Sequence, residues 1–288
     1  MSTDSRPADI PVAPPPWTLK AKLYLFFATL KPDNREDPIL QGLPPGSYNP
    51  SETIHPSALA PINGSPQWKG GLTGFVLVRY EQSPVGPYDE LMMTPDGFVN
   101  PYEKKATSGR ITTIYVSSRQ SVWNGRKNWS MFFSPVFSCC HVSLIYPIDI
   151  PKHLARFEFI PKDSKTLSVK VSLPDAEVPF FTATITDSVI PGIPLPSFIL
   201  NPYMRIVQPP ILASDPPDIE IASDDDWASI LPTYSGPWRA AYIRPSEGGN
   251  ELYGDGLHYP RVKLFWIGAK FTGTIQFPEG VKISSKVD

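Results

Sequence analysis

The chain has 288 residues, a formal charge of -2 at neutral pH, 41% hydrophobic and 19% charged residues. That length holds one large domain or two small ones around a substantial core, and the near-neutral balance gives no electrostatic case for nucleic acid or an anionic membrane. The 36 prolines are spread along the whole chain, which favours short strands joined by irregular loops over long helices.

Residues 1–16, MSTDSRPADIPVAPPP, are polar and proline-rich and read as a mobile arm, with no basic region leading into an apolar one and so no visible secretory signal. Runs rich in β-branched and aromatic residues follow at Ala21–Thr29, Leu72–Arg79, Arg110–Val116, Leu154–Ile160, Thr166–Leu173, Phe180–Thr186 and Val262–Phe277. Turn-rich pieces such as QGLPPGSYNP, LMMTPDGFVNP and PSEGGNELYGDG lie between them. Helices are expected only as short pieces around Ser118–Trp123 and Asp225–Ile230. No repeat and no shift in composition cuts the chain. Residues 17–288 are therefore expected to form one mainly-β domain, a closed or nearly closed barrel.

LYLFFATL, Leu23–Leu30, is too short to cross a bilayer, and the run Met131–Ile150 is made a poor span by His141 and its serines and prolines. Cys139 and Cys140 are adjacent, which suits neither a disulfide framework nor a tetrahedral metal site. The acidic stretch SDPPDIEIASDDDW lacks EF-hand spacing and reads as a solvated loop. A reduced, cytoplasmic protein without bound metal is expected.

Three segments carry chemistry. In RYEQSPVGPYDEL a fixed turn at Pro84, Gly86 and Pro87 sets Tyr88, Asp89 and Glu90 at the mouth of the preceding strand; surface acids on a turn are the plainer reading. RITTIYVSSRQSVWNGRKNW is a strand running into a glycine-containing turn. Its Arg110 and Arg126 could clamp a substrate carboxylate, or could equally be surface or structurally paired groups. In IPKHLARFEF, Pro151 suits the first position of a helical turn. Lys152 would then lie beside exposed N–H groups and among apolar Ile150, Leu154 and Phe157, conditions that favour a neutral, nucleophilic amine able to condense with a ketone.

Together SPVGPYDEL, RITTIYVSS, NGRKNW and PKHLARFEF resemble the acetoacetate decarboxylase-like superfamily, most closely its fungal and plant branch. The likeness runs from PPWTLKAKLYLF to GAKFTGTIQFPEG and is loose over residues 187–258. It implies a β-barrel fold and Schiff-base chemistry. In the family's decarboxylases a lysine after a Tyr-Pro pair forms the imine with a β-keto acid. Lys152, after Ile150-Pro151, matches that lysine; Gly125-Arg126 matches an upstream Gly-Arg pair; and Glu90 in Gly86-Pro87-Tyr88-Asp89-Glu90 matches the active-site glutamate. Acetoacetate decarboxylase activates its lysine beside a second cation. Here the following residue is His153, which supplies at most a partial charge near neutral pH, and the family's N-terminal active-site arginine has no counterpart.

In the family the Gly-Arg and Pro-Lys pairs are close together, whereas here SMFFSPVFSCCHVSLIYPID, Ser130–Asp149, separates them. Ser130-Met131-Phe132 can be encoded by a run containing GTATGTT, the usual start of a fungal intron, and Ile148-Asp149 by one containing ATAG, an intron end. Leu144-Ile145 can supply CTAAT, a branch point. Joining the flanks gives NGRKNWNIPKHLARFEF, whose spacing agrees with the family. The segment is thus expected to be a translated retained intron, a lid loop being the rival.

The function expected is a Schiff-base-forming lyase for a β-keto acid or related ketone, of the decarboxylase or the aldolase and dehydratase kind. Lys152 would be the nucleophile and Glu90 a proton carrier or substrate-positioning group, with Arg126, Arg110 and Tyr88 binding substrate. No nicotinamide, flavin or pyridoxal phosphate motif occurs, so no cofactor is expected. The partner expected is a small keto acid rather than nucleic acid or a membrane, and the characterised relatives imply a homo-oligomer. The alternative is a β-barrel that binds a small apolar or keto-acid ligand without turnover.

Overall fold

Trp17–Leu30 forms β1, where buried Trp17, Leu19, Ala21 and Leu23 alternate with exposed Thr18, Lys20 and Lys22, the two-residue period of a strand with one solvated face. From Leu23 to Phe26 both faces are buried. The computed structural model describes residues 9–33, 39–100, 107–128, 150–194, 204–210, 227–246 and 251–283. Ser130–Asp149 and the acidic loop up to Asp226 lie outside the described residues, as do residues 1–8 of the expected arm.

After β1 come α1 (Pro56–Leu59), β2 (Gly71–Gln82), β3 (Tyr88–Pro95), β4 (Phe98–Val99), β5 (Thr107–Ser108), β6 (Thr113–Val116) and α2 (Arg119–Asn128). There follow β7 (Lys152–Leu154), β8 (Arg156–Pro161), β9 (Thr166–Ser172), β10 (Phe181–Asp187) and β11 (Ile193–Pro194). The last are β12 (Ile206–Gln208), β13 (Trp227–Ile230), β14 (Thr233–Ser235), β15 (Pro237–Arg244), β16 (Ile267–Phe277) and β17 (Val281–Ile283).

The main sheet runs β7-β6-β3-β2-β1-β16-β15-β10-β9-β8, with β11 added to β15 and β14 to β16. Its two ends, β7 and β8, are consecutive in the chain with Ala155 alone between them. The backbone itself therefore joins the two edges, and the sheet is a nearly closed barrel, as expected from the sequence. Ala155 N–H donates to Val116 O at 2.9 Å, carrying the parallel β6–β7 pairing one residue further. Two apolar clusters cover opposite faces of the sheet. Trp17, Leu23, Val78, Ile114 and Phe271 belong to one, and Phe26, Phe75, Leu91, Tyr115 and Val171 to the other.

Three local expectations differ from the structure. The helix expected at Asp225–Ile230 is, over its described residues, strand β13. It pairs with β12 on one side and β17 on the other, so tertiary pairing overrides a weak local preference. No helical turn follows Pro151. Lys152 N–H instead donates to Ile150 O at 2.8 Å, a γ-turn centred on the proline, and the chain enters β7 at once. Residues 9–16, expected within a mobile arm, are held against α2. Asn124 Oδ1 accepts from Ala13 N at 2.8 Å, Asn124 Nδ2 donates to Pro11 O at 2.9 Å, and Ile10 and Ala13 are buried.

Candidate active site

Lys152 opens β7 in register with Ile114 of β6. Its side chain is buried on the face covered by the Trp17 cluster, in a small hollow. The hollow lies on the ends of β1, β3, β6 and β16, and its walls include Leu19, Ile111, Ile114, Ile150 and Ile275. Ile150 lines it as expected. Leu154 and Phe157 do not: the pleat and the course of β8 carry Phe157 to the opposite face.

Glu90 arrives from β3. The spacing of two residues puts Tyr88, Glu90 and Met92 on one side of that strand, and all three face the hollow. The hairpin that presents them turns at Ser83–Gly86, where Gly86 has φ of 83° and its N–H donates to Ser83 O at 3.1 Å. Lys152 Nζ donates to Glu90 Oε2 at 3.3 Å and to Ser121 Oγ at 3.2 Å. The rings of Tyr88 and Trp17 lie 5.4 and 6.0 Å from the same nitrogen. Lys152, Glu90 and Tyr88, named from the sequence, are thus brought together.

Helix α2 closes one side. Ser121 and Gly125, four residues apart, lie on the same helical face, and both abut Lys152. A Cβ at Gly125 would lie 2.5 Å from Lys152 Cδ and 2.9 Å from Cε, so a larger residue there would displace the end of the lysine side chain. That contact is the physical reason for glycine before Arg126.

Both arginines are almost fully buried, and among the described residues neither lines the hollow. Arg126 lies behind the lysine's backbone. Its Nε donates to Lys152 O at 2.8 Å and one terminal nitrogen to Glu52 Oε2 at 2.6 Å. His153, on the opposite side of β7 from Lys152, places Nε2 2.8 Å from the same Glu52 oxygen. Burial pushes the His153 imidazole below its ordinary value and Arg126 adds to this, against the pull of Glu52. Burial alone would raise Glu52, but the hydrogen bond to His153 and the Arg126 charge outweigh it and hold the carboxyl low. Arg110 lies in a separate cavity. It stacks between Phe98 and Trp227, at 3.9 and 5.0 Å, and donates to Gln67 Oε1 at 2.8 Å.

The structure adds residues that the sequence did not single out: Trp17, Tyr80, Ser121, Tyr234 and Glu52. Tyr80 and Tyr88 face each other across the β2–β3 ladder with ring centroids 4.4 Å apart, and Tyr80 donates its hydroxyl proton to Glu90 Oε1 at 3.1 Å. Burial, and then the Glu90 charge, push Tyr80, Tyr88 and Tyr234 above the ordinary phenol value, so all three stay protonated. The i, i+4 spacing of Ser121 and Gly125 was the one available signal for the serine. Trp17 comes from β1, Tyr80 from β2, Tyr234 from β14 and Glu52 from the loop before α1, all far from Lys152 in the chain.

Among the described residues no three His, Cys, Asp or Glu side chains converge as a metal site requires, and no helix is long and apolar enough to cross a membrane. What the hollow offers is an amine, a carboxyl and hydroxyl donors enclosed by apolar walls, a set suited to condensation with a carbonyl compound.

No protein-family model matches the chain, and no curated protein matches it by sequence. Solved structures do match in three dimensions. Acetoacetate decarboxylase from Legionella pneumophila subsp. pneumophila aligns over 100% of both chains with a TM-score of 0.54 at 12% identity. A second acetoacetate decarboxylase structure aligns over 100% of both chains with a TM-score of 0.54 at 11% identity. The enduracididine biosynthesis enzyme MppR aligns over 95% of this chain and 89% of its own, with a TM-score of 0.55 at 10% identity. The chain has the acetoacetate decarboxylase-like fold.

Proposed function

We propose that this protein is a Schiff-base-forming lyase of the acetoacetate decarboxylase-like superfamily, acting on a β-keto acid or a related ketone. The observation that carries this is the position of Lys152 Nζ, buried in an apolar hollow with the Glu90 carboxyl 3.3 Å away. The fold shared with acetoacetate decarboxylases and MppR supports it. So does the meeting of Gly125, Glu90 and Lys152, matched to the family by motif, at one point in space.

In this mechanism the unprotonated amine of Lys152 attacks the ketone carbon, and water leaves to give a protonated imine. For a β-keto acid, the bond from the α-carbon to the carboxylate then breaks. Its electron pair moves to the imine nitrogen as carbon dioxide departs, leaving an enamine. Protonation of that enamine at carbon and hydrolysis return the ketone and Lys152. A retro-aldol cleavage uses the same electron sink. Glu90 sits where it can take protons from the attacking nitrogen and return them.

Ser130–Asp149 is, on this view, translated intron. Gly125 and Arg126, on the far side of it in the chain, contact Lys152 directly.

Borohydride reduction in the presence of acetoacetate tests the function. The result expected is a covalent adduct mapped to Lys152, with carbon dioxide release in its absence of reductant. Reversible binding with neither adduct nor turnover would instead mark a ligand-binding barrel.

A further inference from the structure

Both arginines that could hold a substrate carboxylate are engaged away from the hollow. Arg126 donates to Lys152 O at 2.8 Å and pairs with Glu52, while Arg110 stacks on Phe98 in the second cavity. Among the described residues Lys152 is the only lysine, arginine or histidine that lines the hollow, and its nitrogen is the atom that a carbonyl carbon would take up. The one acid there, Glu90, already accepts from Lys152 Nζ at 3.3 Å and from the Tyr80 hydroxyl at 3.1 Å. It therefore occupies donors that a second carboxylate would need.

The rest of the wall is suited to something else. Apart from Lys152, Glu90 and three tyrosines, every described residue that lines the hollow is apolar. The rings of Tyr88 and Trp17 lie 5.4 and 6.0 Å from Nζ, and Ile114 stands in register with Lys152 on the neighbouring strand. Substituents on a carbon bonded to Nζ would meet aromatic faces and branched alkyl groups on leaving the nitrogen.

We propose that the carbonyl compound captured at Lys152 is uncharged, a ketone or aldehyde whose substituents are alkyl chains or aromatic rings. This rests on the Schiff-base reading above and narrows its substrate class from keto acids to the related ketones. Drawing a carboxylate into such a wall strips its water and returns no side-chain cation, whereas an alkyl or aryl group gains from the same burial. Condensation joins amine and carbonyl with loss of one water and needs no other reactant. The reaction that follows is of the aldolase or dehydratase kind, since the substrate has no carboxylate to leave as carbon dioxide.

The test is borohydride trapping on the full chain at neutral pH, with the adduct mapped to Lys152. The carbonyl compounds are acetoacetate, its methyl ester, and the series 2-butanone, 2-pentanone and 2-heptanone. The ester keeps the acetoacetate skeleton and removes the charge. Its half-maximal trapping concentration is expected to be lower than that of acetoacetate by about tenfold or more. Along the ketone series the same quantity should fall about three- to fourfold for each added methylene. Acetoacetate that traps at a concentration equal to or below its ester, or a series with no dependence on chain length, would overturn the inference and leave the Schiff base standing. No adduct with any of these compounds would overturn both.

Discussion

Gly125 and Lys152, on opposite sides of Ser130–Asp149 in the chain, are in van der Waals contact: a Cβ built on the glycine would sit 2.5 Å from Lys152 Cδ. Helix α2 therefore fixes where the amine can be. In Gly125→Ala the flexible end of the lysine, not the helix, would give way. The variant is expected to melt within a few degrees of wild type because alanine favours helix. Borohydride trapping should fall about 100-fold, the cost of displacing a reacting atom by about an ångström. Normal trapping would show that the amine has freedom the packing denies.

Arg126 is expected to act on stability and on lysine placement rather than on substrate charge. It donates to Lys152 O and pairs with Glu52, both almost fully buried. Arg126→Ala leaves that carboxylate without its cation, and urea unfolding should show a loss of about 3–5 kcal/mol. If unfolding is unchanged and only the affinity for keto acids drops, Arg126 is a substrate clamp after all.

The Glu52–His153 pair sets an acid limit on the fold. His153 is lowered by burial, so the native state resists its protonation and the unfolded chain does not. Stability is then complete above the ordinary value of 6.5 and declines as the pH falls through it. Glu52 is held low, so its contribution is present above 4.5 and is lost on further acidification. Melting temperatures from pH 8 to 4 should fall in this sequence. His153→Gln should flatten the upper limb; an unaltered curve would show that other groups dominate it.

Arg110 offers the contrast. Its guanidinium stacks on Phe98 and Trp227 in the second cavity. Arg110→Met is expected to cost stability in urea while trapping at Lys152 stays close to wild type. A loss of trapping with normal stability would put Arg110 in the reaction.

Replacing Ser130–Asp149 by a single asparagine should preserve the site, since Gly125 and Arg126 touch Lys152 without that segment. Soluble yield and adduct formation should equal or exceed those of the longer form. Mature transcripts that uniformly retain these codons, with loss of folding on their removal, would end the intron account.

How much of this could be seen in the residues depended on locality. Strand β1 announces itself at Ala21–Thr29 by its aromatic and β-branched residues, although it begins earlier, at Trp17. Strand β3 was hidden because Tyr-Asp-Glu and Pro95 look like a turn until β2 and β6 pair on either side. Tyr234 and Glu52 carry no motif, and Tyr80 lies in RYEQSPVGPYDEL without being marked out by it. They reach the site only because distant strands and loops fold onto it, and no spacing rule relates them to Lys152. The supposed helical turn at Pro151 failed for the opposite reason: a proline that suits a helix start suits a γ-turn equally well.

The strand that carries Lys152 is also the stitch between the two edges of the sheet, with Ala155 as the only intervening link. A nascent or partly unravelled chain consequently has its ε-amine in water rather than among apolar side chains. If Lys152 forms the proposed imine, adduct formation doubles as a built-in report that the last edge has found its place.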